Sequence, residues 1–360
     1  MKRSMKKAVS LTLAAGVLAL AVAGCSQKTG PSSSDAGSSQ AAGSPASSQT
    51  QQVTGHITVY TSESQDLVTD MLEDFVSRNP GITYNLYRSG SGDVISKLST
   101  ELQAGGTEAD IIWFADMGYI HQLDGQGLIE HYTPAAAADI DPKFNYNDGM
   151  AFEVRQIFNI IAVNTLKNTV DIQDWADLCK PELAGKFAMA DPSYSGGAFT
   201  TLVTLTQEGG PGWELYQGMR DNDVKFEQSN GNLQTKLSSG EYQAVSVVDF
   251  MIRNAQAEGA PVEIIWPKSG AVMVPTPIAM LSTVKEENRA ACHAFLDYLL
   301  SRDGQKLFVE QGYIPVRDGV GVPEGAPNVA ELNVCGLDID YFVNESSQVR
   351  AKYEEIFGQK

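Results

Sequence analysis

The chain has 360 residues, of which 44 are acidic, 26 are basic and 42% are hydrophobic. This length is sufficient for two domains with sizeable cores. The formal net charge of −18 argues against the basic surface that nucleic-acid binding requires. Four cysteines in 360 residues exclude a disulfide-dense scaffold.

The N-terminus has the pattern of an export signal. Basic residues precede an apolar stretch over 8–23, which leads into Val22-Ala23-Gly24-Cys25. Small residues directly before a cysteine resemble a bacterial lipobox, in which the cysteine is acylated. We expect residues 1–24 to be a lipoprotein signal peptide and Cys25 to be lipidated, and an ordinary signal with a chance cysteine is the alternative. The acyl chains would anchor the mature protein to a membrane without spanning it.

Residues 25–53 are predicted to form a flexible tether after the lipidated cysteine. The segment is rich in Ser, Gly, Ala and Gln and has no aromatic residue. It therefore buries too little apolar surface to offset the entropy of ordering. Removal of the signal would take away four basic residues and no acidic ones, which moves the net charge from −18 to −22.

Three cysteines, Cys179, Cys292 and Cys335, belong to the folded part. Export would place them outside the cytoplasm, where a disulfide can form. Because three is odd, at least one stays free, and the sequence does not decide whether a pair bonds. No CxxC and no Cys/His spacing typical of zinc occurs, so we predict neither a metal site nor a cofactor.

The folded part begins with alternating strands and helices. β-rich runs and helical spacing of apolar residues predict the order β-α-β-α-β, which is typical of an α/β domain with a mainly parallel sheet. The predicted strands are 56–60, 82–87 and 109–114, and the predicted helices are 64–79 and 93–104.

A second α/β unit follows a long β-rich run over 152–163. The alternation of strands and helices resumes there, and the C-terminal part adds one strand and two helices. The predicted strands are 186–190, 224–227, 244–248 and 278–283, and the predicted helices are 196–208, 231–239, 286–301 and 304–311.

Several segments, taken as a set, resemble a known family. They are VYTSES, SRNPGI, YRSGSGDVISKLSTELQAGG and ADIIWFAD in the first unit, DWADLCKPELAGKFAMADPSYSGGAF over 174–199, and FLDYLLSRDGQKLFVEQGYIPVR over 295–317. They look like the extracellular solute-binding proteins of ABC importers, in the group that contains ferric-iron, phosphonate and sugar-phosphate receptors. The resemblance covers residues 55–317.

The resemblance implies a type II periplasmic-binding-protein fold, with two α/β lobes, a two-strand hinge and a ligand cleft between the lobes. Residues 55–162 and 276–360 would form the first lobe, and residues 163–275 the second. The crossovers would lie near Val163-Asn164 and Pro275-Thr276-Pro277. Proline on both sides of Thr276 suits a defined crossing. Hinge closure would trap the solute.

Loops that end strands and begin helices are the candidate ligand contacts, because α/β lobes bind ligands beyond the carboxyl ends of their strands. Ser62 and Ser64 follow the first strand, where each could instead be a plain helix cap. Ser91 and Gly92 belong to a Gly-rich loop whose amides and helix N-terminus would attract an anion. A simple Gly-rich turn is the alternative for this loop.

The second unit offers a similar loop over 191–198. Its members Ser193, Ser195, Gly196 and Gly197 supply hydroxyls and free amides for an anion. The corresponding family segment contacts the anionic group of the ligand, so the resemblance implies the same role here.

Two acidic residues also follow strands. Asp116 and Asp249 could accept hydrogen bonds from an amine or hydroxyl of an organic ligand, or could simply cap the next helix. In ferric-binding members, a pair of tyrosines that ligates iron lies at the place of Val248-Asp249-Phe250. Because that pair is missing, we do not expect ferric binding of that kind. Arg88 is the basic residue nearest to the candidate loops.

These features predict the substrate-binding subunit of an ABC importer, anchored to the cell membrane and facing the extracellular or periplasmic side. It would capture a phosphonate or a phosphorylated organic anion and deliver it to a permease driven by an ATPase. A monomer is expected, with no nucleic-acid partner.

Three alternatives remain from the sequence. They are a ferric-iron receptor, a structural or adhesive lipoprotein, and a carboxylate-pair hydrolase, which the many acidic residues permit. HExxH and GxSxG motifs are missing, and no histidine has a Ser or Cys partner arranged by sequence. We therefore predict no catalytic residues.

Overall fold

The computed structural model describes residues 52–358, and Cys25, the predicted signal and nearly all of the predicted tether lie outside this range. None of the helices between residues 52 and 358 combines the length and the apolar character that a bilayer crossing needs. Cys179, Cys292 and Cys335 are free thiols. Burial among apolar side chains raises the pKa of Cys292 to about 12.

Short strands and helices alternate along the described part. The strands are β1 (Gly55–Thr61), β2 (Ile82–Arg88), β3 (Ile111–Trp113), β4 (Ile129–Glu130), β5 (Asn145–Tyr146), β6 (Ala151–Phe152), β7 (Arg155–Gln156), β8 (Phe158–Asn164), β9 (Phe187–Ala190), β10 (Lys225–Glu227), β11 (Ala244–Val248), β12 (Val262–Ile265), β13 (Ala271–Met273), β14 (Ile278–Leu281), β15 (Ile314–Pro315) and β16 (Val334–Cys335). The helices are α1 (Gln65–Arg78), α2 (Ser91–Gln103), α3 (Met117–Gly125), α4 (Gly196–Thr206), α5 (Trp213–Asp221), α6 (Asn230–Ser239), α7 (Asp249–Ala257), α8 (Glu286–Leu300), α9 (Arg302–Glu310) and α10 (Ile339–Phe357).

Two seven-stranded sheets form the frames of two lobes. The first has the order β2-β1-β3-β14-β6-β5, with β4 beside β14, and the second has the order β10-β9-β11-β8-β13-β16, with β12 beside β8. In the first sheet β1 pairs in parallel with β2 and β3, and in the second β9 pairs in parallel with β10 and β11. The carboxyl ends of these parallel strands carry the loops of interest, as expected for α/β lobes.

Apolar residues at helical spacing attach the helices to the sheets. In α1 the buried positions include Leu67, Met71 and Phe75, which pack against the first sheet. Burying each such side chain contributes about 1.5–3 kcal/mol. The helix ends at Arg78, directly before Asn79 and Pro80, because proline cannot continue it.

The β-rich run over 152–163 is divided among three sheets. β6 belongs to the first sheet and β8 to the second, while β7 pairs with β15 in a separate two-stranded ribbon. The buried charges of Glu153 and Arg155 require partners that a sheet interior does not supply. The first crossover therefore lies between Phe152 and Phe158 and not, as the sequence suggested, near Val163-Asn164.

The second crossover connects β13 of the second sheet to β14 of the first and contains Thr276. Its backbone is tied to the first crossover, because the Thr276 N–H donates to the Glu153 carboxylate over 3.0 Å. Tyr146 donates a further hydrogen bond to Glu153 over 3.1 Å. Burial raises the pKa of Glu153 to about 8.

The C-terminal segment crosses between the lobes a third time. β16 pairs with β13 of the second sheet, and Phe342, Val349 and Tyr353 of α10 are buried in the apolar cluster of the second lobe. The same helix also packs on α3 of the first lobe. Residues 276–360 therefore do not all lie in the first lobe, because the apolar face of α10 is covered mainly by the second.

Candidate ligand-binding site

A cavity of about 370 Å³ lies between the two lobes. Both lobes and both crossovers contribute to its walls. The lining residues are Ser62, Glu63, Ser64, Gln65, Arg88, Gly90, Ser91 and Ala115 from the first lobe, Tyr194, Ser195, Gly196, Gly197, Gln228, Ser229, Asn230, Gly231, Val248, Phe250 and Met251 from the second, and Arg155, Ile157, Val274, Thr276 and Tyr313 from the crossing segments. Six of the ten residues singled out from the sequence are among them: Ser62, Ser64, Ser91, Ser195, Gly196 and Gly197.

Five helices begin at this cavity. The first residues or caps of α1, α2, α4, α6 and α7 all line it. A helix N-terminus has N–H groups without intrahelical partners and a partial positive charge of roughly half an elementary charge. At α7 the buried Asp249 carboxylate already accepts from the Phe250 N–H. The convergence follows from the topology, since each of these helices starts just after the carboxyl end of a strand.

The caps of these helices differ in whether they use their own side chain. Ser195 and Ser229 accept hydrogen bonds from the backbone N–H groups of Ala198 and Asn232, over 3.3 and 3.2 Å. Ser64 and Gly90, the caps of α1 and α2, make no such side-chain bond. The first turns of α1 and α2 therefore keep N–H donors that no cap side chain occupies.

The lobes touch each other at Gly196. A Cβ atom at this position would lie 2.4 Å from the Ala115 carbonyl oxygen and 2.7 Å from the Ser91 Oγ, both in the first lobe. Ser91 in turn hydrogen-bonds Ser62 over 2.9 Å. The loop that begins α4 thus closes against the first lobe through a position that only glycine fits.

Three charged residues line the cavity: Glu63, Arg88 and Arg155. Glu63 and Arg155 form a buried ion pair, and the Arg88 Nε donates to the Glu63 backbone oxygen over 3.0 Å. The pKa of Glu63 is raised, because the effect of burial outweighs the opposing effect of the nearby charges of Arg155 and Arg88. Two arginines and one carboxylate give this cavity a positive balance within a strongly acidic chain.

Sequence reasoning missed Glu63 and Arg155. The Arg155 side chain is only 1% exposed, with its guanidinium carbon 4.4 Å from the Tyr313 ring centre and 5.5 Å from that of Trp113. The available signal was a charged Glu-x-Arg within an otherwise β-rich run. Because charges are rarely buried without a partner, this pattern indicates that Arg155 has an ionic partner elsewhere in the chain. Its partner Glu63 lies 92 positions away in the chain, which no local pattern reveals.

Two predicted residues, Gly92 and Ser193, lie close to the cavity but do not line it. Gly92 is exposed in the first turn of α2, and a Cβ there would meet open space. Ser193 lines a separate cavity of about 160 Å³, together with Phe199, Arg350 and Tyr353.

Asp116 and Asp249, the two predicted acceptors, are engaged by the protein itself. Asp116 caps α3, accepting from the Tyr119 N–H over 2.9 Å, and lies 3.8 Å from Arg350. Asp249 is fully buried, where it accepts from the Phe158 N–H over 2.8 Å and pairs with Arg253 over 2.5 Å. Contrary to expectation, the carboxylate at the cavity is therefore Glu63.

Residues 57–314 match the family described as bacterial extracellular solute-binding protein. The chain belongs to this family. Such proteins bind small solutes for ABC importers and present them to a membrane permease. The cavity between the lobes is thus the place where a solute of this binding protein is expected.

One relative carries its ligands, two polyamines, in its name. The chain is 26% identical over 278 residues to spermidine/putrescine-binding periplasmic protein 1 of Haemophilus influenzae, covering 71% of this chain and 74% of that protein.

Two solved structures share the type II periplasmic-binding fold. The fructose-6-phosphate-bound periplasmic protein AfuA of Actinobacillus pleuropneumoniae matches with a TM-score of 0.75 and 21% identity, covering 85% of this chain and 99% of that one. Iron-bound HitA of Pseudomonas aeruginosa matches with a TM-score of 0.73 and 18% identity, covering 84% and 99%. These likenesses concern the fold, so the ligand has to be inferred from the cavity itself.

Proposed function

We propose that this protein captures a small organic oxyanion, a phosphonate or a phosphate ester, between its lobes and delivers it to an ABC permease. The observation that carries the proposal is the convergence of five helix N-termini on one cavity. An anion at a helix N-terminus is favoured by about 0.3–1 kcal/mol when exposed and up to about 2 kcal/mol when partly buried. Several such termini therefore favour a negative ligand together.

The charged side chains support the same sign of ligand. Arg88 and Arg155 line the cavity against the single carboxylate of Glu63. A polyamine would need the reverse balance, with acidic groups or aromatic faces around each ammonium. The lining therefore favours an anion over the cationic ligands named for the polyamine-binding relative.

The size of the cavity indicates an organic solute. Its volume of about 370 Å³ lies in the range of about 300–1,000 Å³ that is typical of small-molecule sites. A lone inorganic ion would leave most of it unfilled. Val248 and Phe250 line the place where ferric-binding members carry tyrosines, and neither offers an oxygen ligand for iron.

A thermal-unfolding screen of the full-length protein in detergent tests the proposal. The panel contains aminoalkylphosphonates, sugar phosphates, inorganic phosphate, ferric citrate and spermidine. A ligand at 100 times its dissociation constant adds about 2.7 kcal/mol to the free energy of unfolding. We expect stabilisation by a phosphonate or phosphate ester, without turnover. Stabilisation by spermidine or ferric citrate alone would refute the oxyanion proposal.

We further propose that Cys25 carries a lipid anchor, on the basis of the lipobox-like Val22-Ala23-Gly24-Cys25. Metabolic labelling with an alkyne-tagged fatty acid should mark the wild type but not the Cys25→Ser variant. Membrane fractionation does not separate the two cases, because the uncleaved apolar signal of the variant also favours the membrane. Equal labelling of the two proteins, or no labelling of the wild type, would contradict the anchor.

A further inference from the structure

Arg155 lines the cavity and has buried hydrogen-bond donors that no group of the described residues uses. Its Nη2 donates to the Glu63 carboxylate, but Nε and Nη1 are buried without a partner among the described residues. Leaving charged donors unpaired in the interior is costly, so such groups call for an explanation. The protein alone therefore leaves part of the hydrogen-bonding capacity of the guanidinium unused.

The surroundings of Arg155 fix the plane of the guanidinium but leave its donors free. The Tyr313 and Trp113 rings lie 4.4 and 5.5 Å from the guanidinium carbon. Aromatic faces attract the cation but do not replace acceptors for its in-plane N–H groups. Glu63 pairs with the remaining nitrogen, so it is a positioning residue for the guanidinium.

Thr276 provides a second unused group in the same cavity. Its side chain is buried, and its Oγ1 has no partner among the described residues. The backbone around it is fixed, because its N–H donates to Glu153 and its carbonyl accepts from the Trp113 indole over 3.0 Å. The hydroxyl of this cavity-lining residue is thus fixed in place with its hydrogen-bonding capacity free.

We propose that Arg155 and Thr276 form the subsite that receives the oxyanion group of the solute. Charged guanidinium N–H groups donate strong hydrogen bonds to the oxygens of a phosphonate, phosphate, sulfonate or carboxylate group. This inference rests on the proposed function and adds the place of the charged group within the cavity.

The proposed location has a direct consequence for closure. Arg155 belongs to the first crossover and Thr276 to the second, while Glu63 comes from the first lobe. The oxyanion would therefore bridge the first and the second crossover. The helix N-termini would be left to contact the rest of the solute and to stabilise its charge at longer range.

Small oxyanions with no more than a methyl group attached test the subsite even though the natural solute is not identified. The probes are methylphosphonate, methyl phosphate, methanesulfonate and acetate at millimolar concentration, with chloride at equal ionic strength as reference. The readout is the unfolding temperature of the full-length protein, followed by tryptophan fluorescence. We expect at least one probe to stabilise the wild type, and the best probe identifies the oxyanion chemistry.

The main variant is Arg155→Met with Glu63→Gln, which removes both charges together. The matched control is Arg253→Met with Asp249→Asn, because this pair is equally buried but does not line the cavity. We expect the probe to bind the first variant at least about tenfold more weakly and the control as tightly as the wild type. Thr276→Val, which keeps the shape and removes only an unbonded hydroxyl, should weaken the probe severalfold.

Three outcomes would overturn the inference. Equal stabilisation of the wild type and the Arg155 variant would place the oxyanion at the helix N-termini and leave the proposed function intact. If the Arg155 variant does not fold, an undiminished response in Thr276→Val refutes the subsite. Failure of every anion, including the larger organic ones of the first screen, would refute the proposed function as well.

Discussion

The absence of a side chain at Gly196 determines how closely the two lobes can approach each other. Its missing Cβ allows the start of α4 to approach the Ala115 carbonyl and the Ser91 hydroxyl across the cavity. The neighbouring Gly197 has a much less crowded position, where a Cβ would lie 3.4 Å from the Val274 Cγ1. The two adjacent glycines are thus a matched pair for substitution, because an added Cβ atom would clash at Gly196 but not at Gly197.

We predict that Gly196→Ala hinders closure, whereas Gly197→Ala does not. Forcing an extra carbon into a filled space costs about 1–3 kcal/mol, which corresponds to a loss of affinity of about five- to 150-fold. Calorimetric titration with the best anion of the screen measures the affinity, and X-ray scattering with saturating anion measures compaction. Equal affinities for the two variants would contradict this role of Gly196.

The elements show what sequence patterns can and cannot predict. The predicted helix over 231–239 differs from α6 by one residue, because serine and glycine mark its ends. By contrast, no bounds were predicted for α7, which follows β11 without a turn residue, or for the nine-residue α3. The run over 152–163 resembled one strand because its division depends on partners far away in the chain.

The same distinction applies to the candidate site. Hydroxyls and glycines after strands are local signals, and Ser62 and Gly196, which these signals singled out, line the cavity. Whether a carboxylate faces a solute or another side chain depends on tertiary pairing, as Asp249 and Arg253 show. The ligand-binding roles themselves stay predictions until a solute is identified.

α10 connects loops of both lobes that end near the cavity. The guanidinium carbon of Arg350 lies 3.5 Å from the Phe199 ring centre in the second lobe, and its Nη2 lies 3.8 Å from the Asp116 carboxylate in the first. Tyr353 donates to Asp191, at the beginning of the loop that leads to α4, over 3.2 Å. Separation of the lobes would have to break or rearrange one of these contacts, so we infer that α10 favours the closed form.

We predict that Arg350→Met lowers solute affinity by a factor of about 1.4 to 5, which corresponds to about 0.2–1 kcal/mol for a partly exposed pair. Lys352→Met is the control, because among residues 52–358 Lys352 pairs only with Glu355 of the same helix, over 2.9 Å. Titration of both variants with the same anion measures the difference. A similar loss in both, or in neither, would exclude a role for the Arg350–Asp116 contact in closure.

The whole molecule combines an acidic surface with a cavity of opposite sign. The chain carries a net charge of −18, whereas Arg88 and Arg155 outnumber Glu63 at the cavity. At long range the protein repels an anion, and at short range the cavity attracts it. Salt screens the long-range part, with a Debye length of about 8 Å at physiological ionic strength.

We predict that the association rate of the anion increases with added salt, while its dissociation rate changes little. The long-range repulsion weakens on screening, whereas the buried contacts are less affected. Stopped-flow tryptophan fluorescence over a salt series measures both rates. A rate of association that falls with salt would show that Arg88 and Arg155 already control the approach of the anion.

The order of the strands also has a consequence for biogenesis. The second sheet is built mainly from β8 to β13, which are consecutive in the chain, whereas β3 of the first sheet pairs with β14. In a chain that emerges from its N-terminus, the second lobe can form most of its sheet while β3 still has an unpaired edge. Exposed edges of this kind invite wrong pairing. The period before β14 emerges is therefore the stage at which this protein most needs protection from aggregation.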